Sequence, residues 1–338
     1  MPEPARIFWD LFLLFAAAKV GGEFFRRFRQ PEVVGEIVAG AIVGGHLLGL
    51  VPHSEFHDVF AELGVVFLLF MVGLETQPSD LLRVGRQAAG VALLGIIVPF
   101  GLALVLMTGL HRPTIEALFV GTALTATSVG ITARVLRDLG YSGTRVARII
   151  LAAAVLDDIL GILLLAVISG LAKGNLSILK IEVLTVEAVA FVVIAVLVGR
   201  YAIGRFSPRL SRRAGGGSHG PLFALAIALC YLLSALADKI GLAAIIGAFF
   251  AGLIFAEIPE SSELRRSLDP IYNILVPIFF VLMGARVDVV RLLSAQVLPL
   301  GLLITLVAII GKVLGCGLGA ARLGARDALA VGVGMTPR

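Results

Sequence analysis

Apolar and polar positions fall along this chain in long blocks. Runs of about 20 apolar residues, the length a helix needs to cross a bilayer, recur from one end of the sequence to the other. They predict twelve helical spans, at about 7–25, 32–51, 58–75, 88–110, 114–136, 147–172, 181–204, 220–237, 240–257, 268–285, 296–320 and 326–338. The first run has the length of a signal peptide. Its basic cluster, Arg26, Arg27 and Arg29, follows the apolar stretch instead of preceding it, so it reads as a span.

Composition sharpens that pattern into a class. The 338 residues are 59% hydrophobic and 15% charged, with a mean hydropathy of +1.02. A soluble domain carries about 25% charged residues, so the fold class is an all-α polytopic membrane protein. The pI near 9.6 comes from arginines in the loops, and no nucleic-acid partner is needed to explain it. Cys230 and Cys316 lie in apolar runs without metal spacing and read as membrane-buried packing residues. The histidines at 46, 53, 57, 111 and 219 form no ligand cluster and read as solvated loop residues.

Loop charges orient the spans. Odd-numbered loops hold eighteen arginines, among them Arg83, Arg86, Arg134, Arg137, Arg265 and Arg266, whereas even-numbered loops hold six basic residues, including Lys173 and Lys180. Odd loops are therefore predicted to be cytoplasmic, with the N-terminus outside. The seventh loop, Arg205 to Gly220, is the longest polar break and reads as a hinge between two halves.

The halves match in order. Gly35-Glu-Ile-Val-Ala-Gly40 of span 2 pairs with Gly247-Ala-Phe-Phe-Ala-Gly252 of span 9. Val66 to Glu75 of span 3 pairs with Pro277 to Arg286 of span 10, and Glu116 to Thr125 of span 5 with Asp327 to Thr336 of span 12. The offset is always seven spans. An odd offset puts the second half in the membrane the other way up, and an inverted repeat of this kind marks secondary transporters. Spans 1 to 6 repeating as 8 to 13 predict one more span than the twelve found, so the chain reads as a fragment that stops within span 12.

The candidate chemistry lies in span 6. Asp157 and Asp158 are the only charges between Arg148 and Lys173. A charge at mid-bilayer costs on the order of 3 kcal/mol even on the mildest scale, so two adjacent ones mark a functional site. Asp157 is nine residues from Arg148, and Lys312 of span 11 is ten from Arg322. At the helical rise both are about 14–15 Å deep. Opposite charges at equal depth relieve each other, so Lys312 is expected to pair with one aspartate. The other then faces a cavity, because successive helix residues point about 100° apart. Such a unit holds protons or a small cation, which is the chemistry of exchange.

Span 5 supplies the second element. Gly121-Thr-Ala-Leu-Thr-Ala-Thr127-Ser128-Val-Gly130-Ile-Thr132 is rich in Gly, Thr and Ser for a buried helix. It is expected to unwind at mid-membrane, opposite Gly332, Gly334, Thr336 and Pro337 of span 12, and to offer carbonyls and hydroxyls to a hard cation. Glu36 within span 2 is read as bonding across helices or lining a cytoplasmic funnel. Glu75 ends span 3; Glu116 and Asp327 start their helices and read as N-terminal charges.

These motifs resemble those of the cation:proton antiporter-2 family, most of all its NapA-type bacterial sodium/proton antiporters. The likeness runs through Phe70-Met-Val-Gly-Leu-Glu75, Ala123 to Arg134, Val155-Leu-Asp-Asp158, Pro277-Ile-Phe-Phe280, Gly311-Lys312 and Val331 to Arg338. The resemblance implies a homodimer in a bacterial cytoplasmic membrane that exchanges Na+ or Li+ for H+ by an elevator movement, electrogenically and without a cofactor. It implies a dimerisation domain from 1–80 and 219–293, a transport core from 86–172 and 294–338, and a connector over 174–218. By position, Asp158 would bind the ion or proton transiently and Asp157 would pair with Lys312. Thr127 and Ser128 would lie where the first crossing helix unwinds, with Thr132, Glu36 and Thr336 as further candidates. Potassium/proton exchange, and a channel or non-transporting sensor on this scaffold, are the competing readings. No nucleophile–base pair, metal cluster or phosphate loop favours an enzyme.

Overall fold

In lipid a chain must satisfy its own backbone hydrogen bonds, so the apolar runs that the structure describes are built mainly of helix. The computed structural model describes residues 3–52, 54–76, 78–172, 178–198, 220–256 and 258–337. Its helices are α1 (Glu3–Arg27), α2 (Glu32–Val43), α3 (Glu55–Leu74), α4 (Pro78–Gly109), α5 (Thr114–Ala123), α6 (Val129–Asp138) and α7 (Arg145–Ala172). They continue as α8 (Ile178–Val198), α9 (Gly220–Lys239), α10 (Ala244–Ala256), α11 (Ser261–Ala285), α12 (Val289–Leu292), α13 (Leu298–Gly319) and α14 (Ala325–Gly334). Among the described residues six helices are long and apolar enough to cross a membrane, and α5 and α10 are shorter apolar helices. Most of the predicted hinge at 205–220, with the connector from 199, lies outside the described residues, as do His53 and His219.

Three expectations need correction. Span 2 is helical only to Val43; Gly44 packs against Ala285, and the chain turns there through Gly49, whose φ is +65°. His57 is not a solvated loop residue. It sits in the first turn of α3 behind the Ser54 cap, buried, with Nε2 3.4 Å from the buried Asp10 carboxylate of α1. Arg134 and Arg137, counted as loop charges, lie on α6, and Arg134 is buried. Cys230 and Cys316 are buried thiols outside any disulfide among the described residues, as read.

Helix contacts fall into two groups. In one, α2 packs on α1 and α11, and α3 on α10 and α11. Glycines let these backbones touch: a Cβ on Gly40 would lie 2.0 Å from the Val281 oxygen, and one on Gly284 2.0 Å from that of Ile37. The α3–α10 crossing repeats the device, with Gly252 at 2.0 Å from the Phe70 oxygen and Gly73 at 2.1 Å from that of Phe249. Under the seven-span offset the α2–α11 crossing maps onto α10–α3.

Because the obstacle at Gly252 is backbone, Gly252→Val is expected to cost more than the roughly 1–3 kcal/mol of ordinary overpacking. Size-exclusion profiles in detergent should show little folded protein. A normal yield with an unchanged melting temperature would show that these backbones separate freely.

The second group joins α4 to α5, α7 and α13, and α13 to α14. Here Gly311, Gly315 and Gly319, spaced one helical turn apart, lie against Pro99, Leu94 and Gly90 of α4. This ladder draws α13 onto α4 and so fixes where Lys312 points.

Candidate functional site

The site is built where two helices break. Along span 5 the helix stops at Ala123 and restarts at Val129, and the chain after α14 leaves helical geometry at Met335. Local chemistry favours both breaks. The Thr122 and Thr125 hydroxyls bond back to the carbonyls of Leu118 and Thr122, competing with the helical ladder, and Pro337 has no N–H to continue α14. The broken segments then cross and bond each other. The Ser128 N–H donates to the Pro337 carbonyl at 2.8 Å, and the Thr132 hydroxyl to that of Gly334 at 3.2 Å. Ser128 also caps α6, its hydroxyl accepting from the Ile131 N–H. The crossing thus gathers the carbonyl ends of α5 and α14 and the N–H end of α6, partial charges of both signs at one point.

The paired aspartates of α7 meet this crossing. Oδ2 of Asp157 accepts from Lys312 Nζ at 2.8 Å and from the Thr127 hydroxyl at 2.7 Å. Lys312 is 0% exposed and Asp157 1%, so the pair is sealed from solvent. Lys312 fits because the facing residue on α4 is Gly95, where a Cβ would come within 3.7 Å of Nζ and 2.6 Å of Cys316 Sγ. Asp158, the next residue round the helix, is only partly buried, and no hydrogen bond or ion pair from a described residue reaches it. One carboxylate is thus neutralised and locked while its neighbour is left open.

Thr336 is the candidate that the structure does not bring in by its side chain. Its hydroxyl turns back onto the Val333 carbonyl of its own helix. Glu36 lies apart from the aspartates, in the second cluster below.

The profile of the family "sodium/hydrogen exchanger, transmembrane" matches residues 11–338. The chain belongs to that family. It is 38% identical to the high-affinity Na+/H+ antiporter NhaS3 of Synechocystis, over 99% of this chain and 80% of the relative. It is 36% identical to the probable Na+/H+ antiporter GerT of Bacillus cereus, over 98% and 87%. In fold it is similar to the sodium proton antiporter MjNhaP1 of Methanocaldococcus jannaschii, with a TM-score of 0.70 at 19% identity, over 98% of this chain and 82% of that one. As an exchanger-family chain it is a multi-pass membrane transporter and not an enzyme.

A second polar cluster sits at the end of the exchanger fold where α2 and α11 begin and α3 and α6 end. Arg134 Nη2 lies 3.4 Å from Glu36 and 3.5 Å from Glu32, and its Nε 3.1 Å from Asp138. Arg137 is 2.9 Å from Asp269 and 3.7 Å from Glu75, which Arg265 also approaches at 3.7 Å. Tyr272 lies between the two arginines, its ring centroid 4.1 Å from the Arg137 guanidinium and its hydroxyl 3.4 Å from Arg134 Nη1. Glu36 is 2% exposed, its Oε2 has no hydrogen-bond partner among the described residues, and the residue borders a cleft of about 480 Å³ lined also by Lys19, Glu23 and Arg26.

Sequence reasoning missed Tyr272 and Gly95 and placed Arg134 in a loop. A signal existed for the arginine: α6 is strongly amphipathic, with Arg134 on the same side as Gly130 and Ala133, both buried. Nothing comparable marks Tyr272 or Gly95, whose roles depend on helices distant in sequence.

Proposed function

We propose that this chain exchanges Na+, and also Li+, for H+ by alternating access, with Asp158 carrying the ion or the proton. The observation that carries this reading is the open Asp158 carboxylate beside the sealed Asp157–Lys312 pair, at the crossing of two broken helices in a sodium/hydrogen exchanger. A lone carboxylate among carbonyl ends attracts a hard cation or a proton, and the two compete for the same oxygens. Thr127, Ser128 and Thr132 shape the crossing, and Lys312 keeps Asp157 charged without solvent. Exchange of two protons per sodium, hence electrogenic, is part of the proposal.

The same reading assigns the mobile core to α4–α7, α13 and α14, and the dimerising scaffold to α1–α3 and α9–α11, with α8 as connector. The two contact groups of the fold support this division, and the mapping of α2–α11 onto α10–α3 supports the inverted repeat. The protein is proposed to be a homodimer in a bacterial cytoplasmic membrane, N-terminus outside, the arginine-rich loops lying on the cytoplasmic side.

The test is a proteoliposome assay with an imposed pH gradient, adding Na+, Li+ and K+ in turn. Sodium and lithium are expected to collapse the gradient, and clamping the membrane potential should change the rate. A gradient collapsed by potassium alone would assign the chain to potassium exchange; a gradient unmoved by any of the three would sink the exchange reading.

A further inference from the structure

The two groups of helices are held together in different ways from the inside of each group. Within the scaffold, glycines interlock backbones, and Gly40, Gly73, Gly252 and Gly284 leave no room even for a Cβ. Between α6 and the scaffold the fit is made by side chains instead of interlocked backbones. The atoms nearest a Cβ on Gly130 of α6 would be the side-chain ends of Leu68, Val65 and Phe279, at 3.4, 3.6 and 3.9 Å, ordinary contact distances. What spans this seam is charge. Arg134 and Arg137 on one short helix reach Glu32 and Glu36 of α2, Glu75 at the end of α3, and Asp269 and Tyr272 of α11. Asp138, on α6 itself, braces Arg134 from the other side.

Interlocked backbones cannot slide, but ion pairs break and re-form when one element moves past another, and a shift of about one helical turn, about 5 Å, separates every pair at this seam. We propose that the arginine face of α6 is a clasp that holds the core against the scaffold in one end state of the transport cycle. Arg134 and Arg137 are then positioning residues for exchange: they touch neither aspartate of the site, and they set how much of the protein occupies this state. Tyr272 is the pivot, offering its ring face to Arg137 and its hydroxyl to Arg134. Buried Glu36 makes the clasp costly to leave half open, because separating a buried pair strands both charges. The inference rests on the proposed movement of core against scaffold.

Disulfide trapping tests it in the full chain. Cysteines at Gly130 and Val65 face each other only when the clasp is closed, and copper–phenanthroline supplies the oxidant. The single-cysteine variants control for Cys230 and Cys316, both fully buried. Trapping is expected to slow about tenfold or more in R134Q and R137Q, with R137K closer to the parent because it keeps the charge over Tyr272. R137Q carries the test if R134Q, whose side chain is buried, fails to fold. Trapping at an unchanged rate in the folded glutamine variants would overturn the clasp and leave the exchange reading intact. The trapped disulfide is also expected to stop sodium/proton exchange until reduced. If exchange continues with the disulfide formed, core and scaffold do not slide, and both the clasp and the elevator movement fail.

Discussion

Asp158→Asn is expected to reduce cation-evoked proton movement in proteoliposomes to the protein-free background. The amide keeps the size of the carboxyl group but neither carries charge nor exchanges a proton in the working range. At about 4 Å and an effective dielectric near 20, losing one charge removes roughly 4 kcal/mol of attraction for a monovalent cation, on the order of 10³ in affinity. Folding should survive, because no hydrogen bond or ion pair from a described residue ends on Asp158. A normal melting temperature together with lost exchange is the predicted signature. Exchange at the parent rate in this variant would mean that Asp158 is not the carrier and that the site assignment is wrong.

Lys312→Met should act on stability first. It leaves Asp157, 1% exposed, without the Lys312 ammonium that its Oδ2 accepts from, while the Thr127 hydroxyl still donates to that oxygen. Breaking a buried pair from one side costs about 3–5 kcal/mol, because the remaining charge stays desolvated. A second change, Asp157→Asn, removes that charge and is expected to restore most of the loss, since a pair replaced on both sides is often near neutral. Thermal unfolding of both single variants and the double variant in detergent closes the cycle. A double variant at least as unstable as the sum of the singles would show that Lys312 serves packing against Gly95 and Cys316, and not charge balance. Exchange by Lys312→Met is expected to be low as well, because without the Lys312 ammonium the charge on Asp157 acts on the adjacent Asp158 site.

Much of the site was legible in the sequence because depth in a membrane can be counted from the loops. Nine residues from Arg148 to Asp157 and ten from Arg322 to Lys312 set the two charges at one level, and the structure joins them at 2.8 Å. The break in span 5 was legible too, since glycines and back-bonding threonines weaken a helix locally wherever the fold places it. Span 2 was overextended because apolar residues continue past Val43, and hydropathy does not register that Gly44 must lie against Ala285.

The second cluster was not legible, and the reason is sequence distance. Arg134 meets Glu36 across 98 positions and Tyr272 across 138, on helices whose relative rotation depends on backbone contacts at Gly40, Gly73, Gly252 and Gly284. His57 shows the same limit: an imidazole in a first helical turn reads as solvated until α1 brings Asp10 to it. Local composition determined where this chain enters the membrane, where its helices weaken and at what depth its charges lie, because hydration and backbone hydrogen bonding act residue by residue. Depth alone left open which carboxylate pairs with Lys312, a choice that came from the family resemblance, and only the tertiary structure decided how closely that pair is sealed and which arginines leave the loops to grip a neighbouring helix. Those outcomes depend on distances of about 3 Å between segments far apart in sequence, and it is side-chain packing, glycine by glycine, that sets them.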